Sequence, residues 1–276
     1  MLETLRLEGR VAVVTGAGRG LGQAMAKALS QAGARVVCAA RTQAQIDQTV
    51  AEIRAAGGEA LAQTCDVTDS AQVDALVDRS IDAYGRIDIM VANAGGGGVQ
   101  VQAEFWEYPD DAFEAVLATN LKSNFYSTRA AAKHMVSQGD GGSIINVASG
   151  TAMRGNRSFA YPTAKGGVLS LSKSAANMLA PHDIRVNTIV PGYVLQAPPA
   201  DAQAEAIAAQ RGSRIPVRRL GEWWELGPLC VYLASDASSY VTGHSFIIDG
   251  GGLAGGIGPI GFVPVNQLVA AHEAGA

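Results

Sequence analysis

Val11-Ala12-Val13-Val14-Thr15-Gly16-Ala17-Gly18-Arg19-Gly20-Leu21-Gly22 sets the frame for the rest of the chain. The first five residues are mostly β-branched and suit a strand buried on both faces. Glycines 16, 20 and 22 then allow a tight turn and a close approach of backbone to a neighbouring group. Leu21 to Gln31 has a helical pattern and stops before Gly33. Strand, glycine turn and helix in that order aim the free amides and positive end of the helix at the turn, an arrangement that cradles a pyrophosphate. The spacing is Gly-x-x-x-Gly-x-Gly, not the commoner Gly-x-Gly-x-x-Gly.

Outward from this turn the same rhythm repeats. Apolar runs at 35–40, 60–65, 87–92, 143–148, 184–190 and 245–248 read as further strands. Between them, 42–56, 69–84, 110–138, 161–179 and 222–235 read as helices. Seven strands, apolar on both faces and alternating with helices, predict an α/β fold with a parallel sheet covered on both sides. No Pro/Ser linker, charge run or fixed-length repeat divides the chain, so residues 1–276 are read as one domain. Two stretches break the rhythm. Residues 193–215 form a long insertion with Pro198-Pro199 and a mostly polar helical piece, and they read as a substrate lid. Residues 251–276 form a Gly-rich but apolar tail.

The 276 residues are 48% hydrophobic and 17% charged, as in a globular chain. A net charge of −4 without a basic block speaks against a nucleic-acid binder. No apolar run approaches the ~18 residues of a membrane span. The N-terminus carries Glu3 and Glu8 and lacks the apolar core of a signal peptide. Cys38, Cys65 and Cys230 are isolated and odd in number, which fits a reducing cytoplasm. They show no zinc spacing, and a structural metal is neither suggested nor excluded.

Further motifs follow in a fixed order: Asp66-Val67 in CDVTD, Asn93-Ala94-Gly95, Asn120 in TNL, Ser149 in INVASG, Tyr161-Pro-Thr-Ala-Lys165 and Pro191-Gly192. Each is common alone. Together with the glycine turn, from about Gly9 to Gly251, they resemble the short-chain dehydrogenase/reductase family in its short, single-domain branch. The resemblance implies a three-layer Rossmann fold on a central seven-stranded parallel sheet. It also implies hydride transfer between a nicotinamide dinucleotide and a ketone/aldehyde or alcohol, a CH–OH oxidoreductase. Implied cofactor contacts are Gly16, Arg19, Gly20, Leu21, Gly22, Asp66, Val67, Asn93, Ala94, Gly95, Tyr161, Lys165, Pro191, Gly192 and Val194. Where NAD-using members carry an acid after the second strand, this chain has Ala40 and then Arg41. Arg41 offers a planar, permanently charged fork to a 2′-phosphate, and Arg19 can approach the same group. The expectation is NADP(H) over NAD(H).

Tyr161 and Lys165 stand four apart, so on a helix they share a face. Read alone, such a pair is an ordinary amphipathic surface pair. In the family context Tyr161 is the general acid/base. An ammonium ~4 Å away is worth ~4 kcal/mol at an effective dielectric near 20, enough to lower a phenol by about three units. Lys165 would also hold the nicotinamide ribose, Ser149 would bind the substrate oxygen, and Asn120 would disturb its helix behind the lysine. One departure stands out: a few residues after Pro191-Gly192, where the family often has a cofactor-contacting threonine, the stretch reads YVLQAPP with Gln196 near that position, so either Gln196 substitutes or the contact is absent.

The expected pocket residues are 96–98, 150–153, 156–159 and 193–195. Arg154 and Arg157 read first as solvated loop arginines, with recognition of an acidic substrate as the alternative. Phe105, Trp106 and Tyr108 read as packing residues. The family's habit implies a homotetramer (or a dimer) built through two long helices and the final strand, with Ala130–Ala132 and Ala175-Ala176 permitting close helix approach. The tail could pack on a neighbouring subunit. Two other readings are a nucleotide-sensing scaffold without turnover and a different Rossmann enzyme such as a methyltransferase. The scaffold would be expected to lose Ser149, Tyr161 or Lys165, and all three are present. Substrate identity and direction are left open.

Overall fold

A computed structural model describes residues 2–96, 101, 103–154 and 158–254. Gly97, Gly98, Asn156, Arg157 and the tail beyond Ala254 therefore lie outside the described residues. The strands are β1 (Val11–Thr15), β2 (Arg35–Ala40), β3 (Ala60–Thr64), β4 (Ile89–Ala92), β5 (Gly142–Val147), β6 (Ile184–Pro191) and β7 (Ser245–Ile248). Every pairing is parallel, and the order is β3-β2-β1-β4-β5-β6-β7.

Strand side chains alternate between faces, and the core divides accordingly. On one face Ala12, Val14, Val36 and Cys38 pack with Met25 and Leu29 of α1 (Gly20–Gln31), Ile46 and Ile53 of α2 (Gln43–Ala55), and Cys230 and Leu233 of the C-terminal helix. On the other, Val13, Val37, Met90 and Ile144 pack with Leu76 of α3 (Ser70–Tyr84) and with helices that follow β4 and β5. Three layers result, as expected of the Rossmann fold. Asp69 caps α3 by accepting from Ala71 N at 2.9 Å, and Gly85 ends it at φ +78°.

The helix expected over 110–138 is interrupted. α4 (Asp110–Leu117) passes through a π-helical turn, Ala118–Lys122, into α5 (Ser123–Gln138). Side chains in this segment compete for backbone carbonyls. Asn120 Nδ2 donates to Val116 O, Ser123 Oγ to Thr119 O, and Asn124 Nδ2 to Asn120 O. Such bonds offer the backbone an alternative to its regular ladder, and π-turns often mark functional sites.

α6 (Ala160–Leu179) lies beside β6 in the chain, and α7 (Ala202–Gly212) is the helical piece of the insertion, capped by Asp201. The final helix is shorter than expected. A 3-10 turn at Trp223–Glu225 leads into α8 (Leu226–Ala234). Ala130, Ala131, Ala132 and Ala176 are buried within the chain's own core. They do not form a small-residue face offered to a second subunit.

Candidate active site

The strand order reverses between β1 and β4, and ligand crevices of open α/β sheets form at the carboxyl ends of strands at such a point. Here the glycine turn leaves β1 and Asn93–Gly95 leaves β4. Thr15 ties them together. Its Oγ1 accepts from Asn93 N and Ala94 N, both at 3.0 Å, and donates to Val91 O. Asn93 Nδ2 returns to Thr15 O at 3.0 Å. Thr15 was not singled out from sequence. Its signal is its place before Gly16, where a hydroxyl can serve two loops at once.

The glycines fit a dinucleotide cradle. At Gly16 (φ +67°) an added Cβ would meet Asn93 Nδ2 at 2.8 Å and Ala94 Cα at 3.0 Å, and at Gly22 it would collide with Gly16 O. The turn thus leaves its surface as bare backbone at the N-terminus of α1, suited to phosphates. Arg19 is exposed at the helix entrance without a side-chain cap, and Arg41 is exposed at the end of β2. Gln196 lies over the turn, its Oε1 where a Cβ of Gly20 would go. It therefore stands at the same turn as the phosphate cradle.

Asp66 Oδ1 is engaged by Thr68 N at 3.0 Å and Thr68 Oγ1 at 2.8 Å. These bonds, with Arg41 nearby, hold its carboxyl below the usual range. Val67 is buried beside it. Val194 pairs with Gly221 in a parallel bridge that uses the Tyr193 carbonyl and the Leu195 amide, leaving Val194's own amide out of the pairing.

Beyond β5, Ser149 begins a 3-10 turn (Gly150–Met153), and its Oγ accepts from Thr151 N at 3.3 Å and Thr151 Oγ1 at 3.0 Å. Ser149 also hydrogen-bonds the Tyr161 hydroxyl. Tyr161 and Lys165 share one face of α6, as their spacing predicts. Lys165 is 2% exposed, and its Nζ donates to Val147 O at 2.8 Å. A Cβ on Gly95 would lie 3.1 Å from that Nζ and 2.8 Å from Asn120 Oδ1, so glycine here lets the β4 loop close over both. Asn120 is fully buried, and its Oδ1 accepts from Gly96 N at 2.9 Å.

The expected lowering of Tyr161 by an adjacent ammonium is corrected by this geometry. Lys165 Nζ is 5.9 Å from the centre of the Tyr161 ring and is held by the β5 main chain. Burial pushes the Tyr161 phenol up, against the opposing effect of Ser149. Burial also brings Lys165 down to about 8, because an apolar surround disfavours the charged ammonium.

Around this centre Phe159 gathers Phe105, Tyr108 and Phe113 at ring separations of 4.8, 4.7 and 6.0 Å. Tyr108 packs as expected, whereas Phe105, despite its contact with Phe159, and Trp106 are 72% and 78% exposed. The Arg154 guanidinium stands 5.9 Å over the Tyr193 ring. Among the described residues no group of three or more His, Cys, Asp or Glu could hold a metal. No helix among them is long and apolar enough to cross a membrane.

A family model described as enoyl-(acyl carrier protein) reductase matches residues 16–252. The Escherichia coli 2-dehydro-3-deoxy-D-gluconate 5-dehydrogenase is 39% identical over 257 residues, covering 92% of this chain and 99% of that one. The 3-oxoacyl-[acyl-carrier-protein] reductase of Thermotoga maritima is 36% identical, covering 90% and 99%. Among solved structures, a short-chain dehydrogenase/reductase from Mycobacterium marinum aligns with a TM-score of 0.82 at 39% identity, covering 91% and 98%. Another, from Beutenbergia cavernae, is provisionally assigned as an NAD(P)-dependent gluconate 5-dehydrogenase and has NADP bound at low occupancy. It aligns at 0.81 with 34% identity, covering 91% and 99%. The chain belongs to the short-chain dehydrogenase/reductase family. It is an NAD(P)-dependent oxidoreductase that interconverts alcohol and carbonyl groups.

Proposed function

We propose that the enzyme prefers NADP(H) and uses Tyr161 as proton donor and acceptor for a small carbonyl/alcohol substrate. The observation that carries the catalytic part is the hydrogen-bonded Ser149–Tyr161 pair with buried Lys165 behind it, beside the glycine turn. Gly16, Gly20, Leu21 and Gly22 hold the pyrophosphate. Asp66 and Val67 meet the adenine, Asn93 to Gly95 the adjoining ribose, and Pro191, Gly192 and Val194 the carboxamide end. Arg19 and Arg41 take the 2′-phosphate, since neither has a carboxylate partner within ion-pair distance among the described residues.

A dinucleotide held by these residues would supply or accept the hydride and, when oxidised, would bring positive charge into the site. Tyr161 Oη gives its proton to the forming alkoxide in reduction and takes it back in oxidation. Ser149 Oγ donates to the same substrate oxygen and stabilises the charge that grows on it. Lys165, kept upright by Val147 O, maintains positive potential beneath the pair. Asn120, locked in the π-turn by Val116 and Gly96, keeps the β4 loop closed on the lysine.

The molecule is read as a homotetramer (or dimer) of the cytoplasm. Apolar Phe125, Met178 and Ile247 are exposed on α5, α6 and the edge strand β7, and the three cysteines are free thiols. No nucleic acid or membrane partner enters this reading. Turnover of ketone and alcohol panels, followed by absorbance of the reduced cofactor with NADP(H) and NAD(H) in parallel, tests it. A higher kcat/KM with NAD(H) would overturn the cofactor preference.

A further inference from the structure

Asp249, directly after β7, folds the chain back on itself. Its Oδ1 accepts from Gly251 N at 2.9 Å, and its Oδ2 from Leu253 N at 2.6 Å. Gly250 and Gly251 take φ +62° and +86°, a region that favours glycine. The turn is wedged between two functional parts. On one side Gly250 meets Ile215 and Val217, Gly251 meets Pro216, and Val217 N donates to Gly250 O at 3.3 Å. Ile215 ends the lid insertion, and Pro216 and Val217 directly follow it. On the other side Leu253 Cδ1 is 3.8 Å from where a Cβ of Gly150 would stand, and Gly150 directly follows Ser149. Gly192 packs so tightly on Asp249 that a Cβ would come within 2.5 Å of Asp249 Cβ.

Leu253 is partly exposed and belongs to none of the core clusters. Two hydrogen bonds to a carboxylate nevertheless hold its turn in place, and such charge-assisted bonds are the stronger kind. An apolar side chain fixed in that way, partly exposed and packed on the turn that Ser149 begins, has a surface to offer to a ligand.

We infer that Leu253 is a specificity-determining residue, forming an apolar wall of the substrate pocket beside Ser149, and that Asp249 positions it. The inference rests on Ser149 and Tyr161 being the catalytic pair. The wall selects substrates that carry an alkyl or other apolar group next to the reacting carbon, on the side facing the turn. Because the same turn packs on residues 215–217, the wall and the base of the lid are one assembly.

The test has two arms, each run on the full-length enzyme. In the first, Leu253→Ala, Leu253→Trp, Asp249→Ala and Asp249→Asn are compared over ketones graded in alkyl size, with NADPH affinity measured by fluorescence. A buried methylene is worth ~fourfold in affinity. Leu253→Ala is therefore expected to raise KM for the preferred ketone about tenfold with kcat within threefold. Leu253→Trp is expected to shift selectivity at least tenfold toward smaller ketones. Asp249→Ala should follow Leu253→Ala, Asp249→Asn should recover part of the loss, and NADPH affinity should stay within twofold throughout. Wild-type turnover combined with unchanged size selectivity in both Leu253 variants would overturn the inference and leave the Tyr161 assignment standing.

The second arm needs no activity. Gly150→Cys with Leu253→Cys is treated with a short bis-electrophile that alkylates two thiols, such as a dibromide that releases bromide, and read by mass. The native thiols are buried and pushed up to about 12, 11 and 12 at Cys38, Cys65 and Cys230, so they compete poorly. Ready closure of the pair, lost when Asp249 is also alanine, supports the placement. No closure at all refutes it.

Discussion

Lys165 Nζ donates to Val147 O at 2.8 Å while standing 5.9 Å from the centre of the Tyr161 ring. The lysine is thus anchored to β5, and the phenol is partnered by Ser149. Removing the phenolic oxygen should abolish proton transfer without disturbing that anchor. Tyr161→Phe is expected to lower kcat at least ~100-fold, in line with general acid–base contributions of ~10²–10⁴, with NADPH affinity unchanged. Steady-state kinetics beside a fluorescence titration check this, and near-normal turnover would remove Tyr161 from its role.

Lys165 predicts how stability depends on pH. Burial lowers its pKa from 10.5 to about 8, so between these values the unfolded chain binds more protons than the folded one, and stability rises with pH through that window. Below about 8 the lysine is charged in both states and the burial cost is fully present, on the order of 3 kcal/mol. Lys165→Met is therefore expected to match or exceed the wild type in urea unfolding at pH 7, with the difference shrinking from pH 8 to 10.5. A difference that does not vary with pH would contradict the lowered lysine.

Arg41 is exposed at the end of β2, close enough to Asp66 to help hold that carboxyl low. Arg41→Asp replaces a guanidinium fork, proposed to bind the 2′-phosphate, with a group that repels phosphate and accepts ribose hydroxyls. The ratio of kcat/KM for NADP(H) over NAD(H) should fall tens- to hundreds-fold, since each charge-assisted hydrogen bond is worth ~1.5–3 kcal/mol. Adding Arg19→Ala should lower it further. An unchanged ratio would mean that both arginines are ordinary surface charges.

Gln196 lies against Gly20, near the position where the family often has threonine. If its carboxamide takes over the threonine's contact, Gln196→Ala should raise KM for the cofactor several-fold and Gln196→Thr should largely restore it. Equal KM values for all three proteins would show that the turn does without this side chain.

Met178 on α6 and Ile247 on the edge strand β7 are exposed, at 76% and 48%. Their replacement by aspartate should lower the mass seen by light scattering by a factor of two or more if these faces join subunits. An unchanged mass would place the interface elsewhere.

The candidate catalytic set was legible early through the ordered motifs that resemble the family, and several of its members also have a local cause for their placement. The Tyr161–Lys165 spacing works through helix periodicity, the glycines through backbone conformation at the β1 turn, and Ser149 through its place after a strand. Other features depended on distant segments. Thr15 looks like the last residue of a strand, and its importance lies in two amides that arrive from β4. The small residues at 130–132 suggest a face open to a partner, yet the sheet covers them.

Local patterning was enough to specify a parallel α/β sheet and the glycine turn after its first strand, because neighbour-to-neighbour geometry dictates these, while the residues proposed to carry a proton were read from motifs that resemble the family. The set of the lysine against β5, the raised phenol and the packing of Leu253 against Gly150 were decided by folding. They depend on burial and on contacts between segments up to about a hundred residues apart, and desolvation has no signature in a linear spacing.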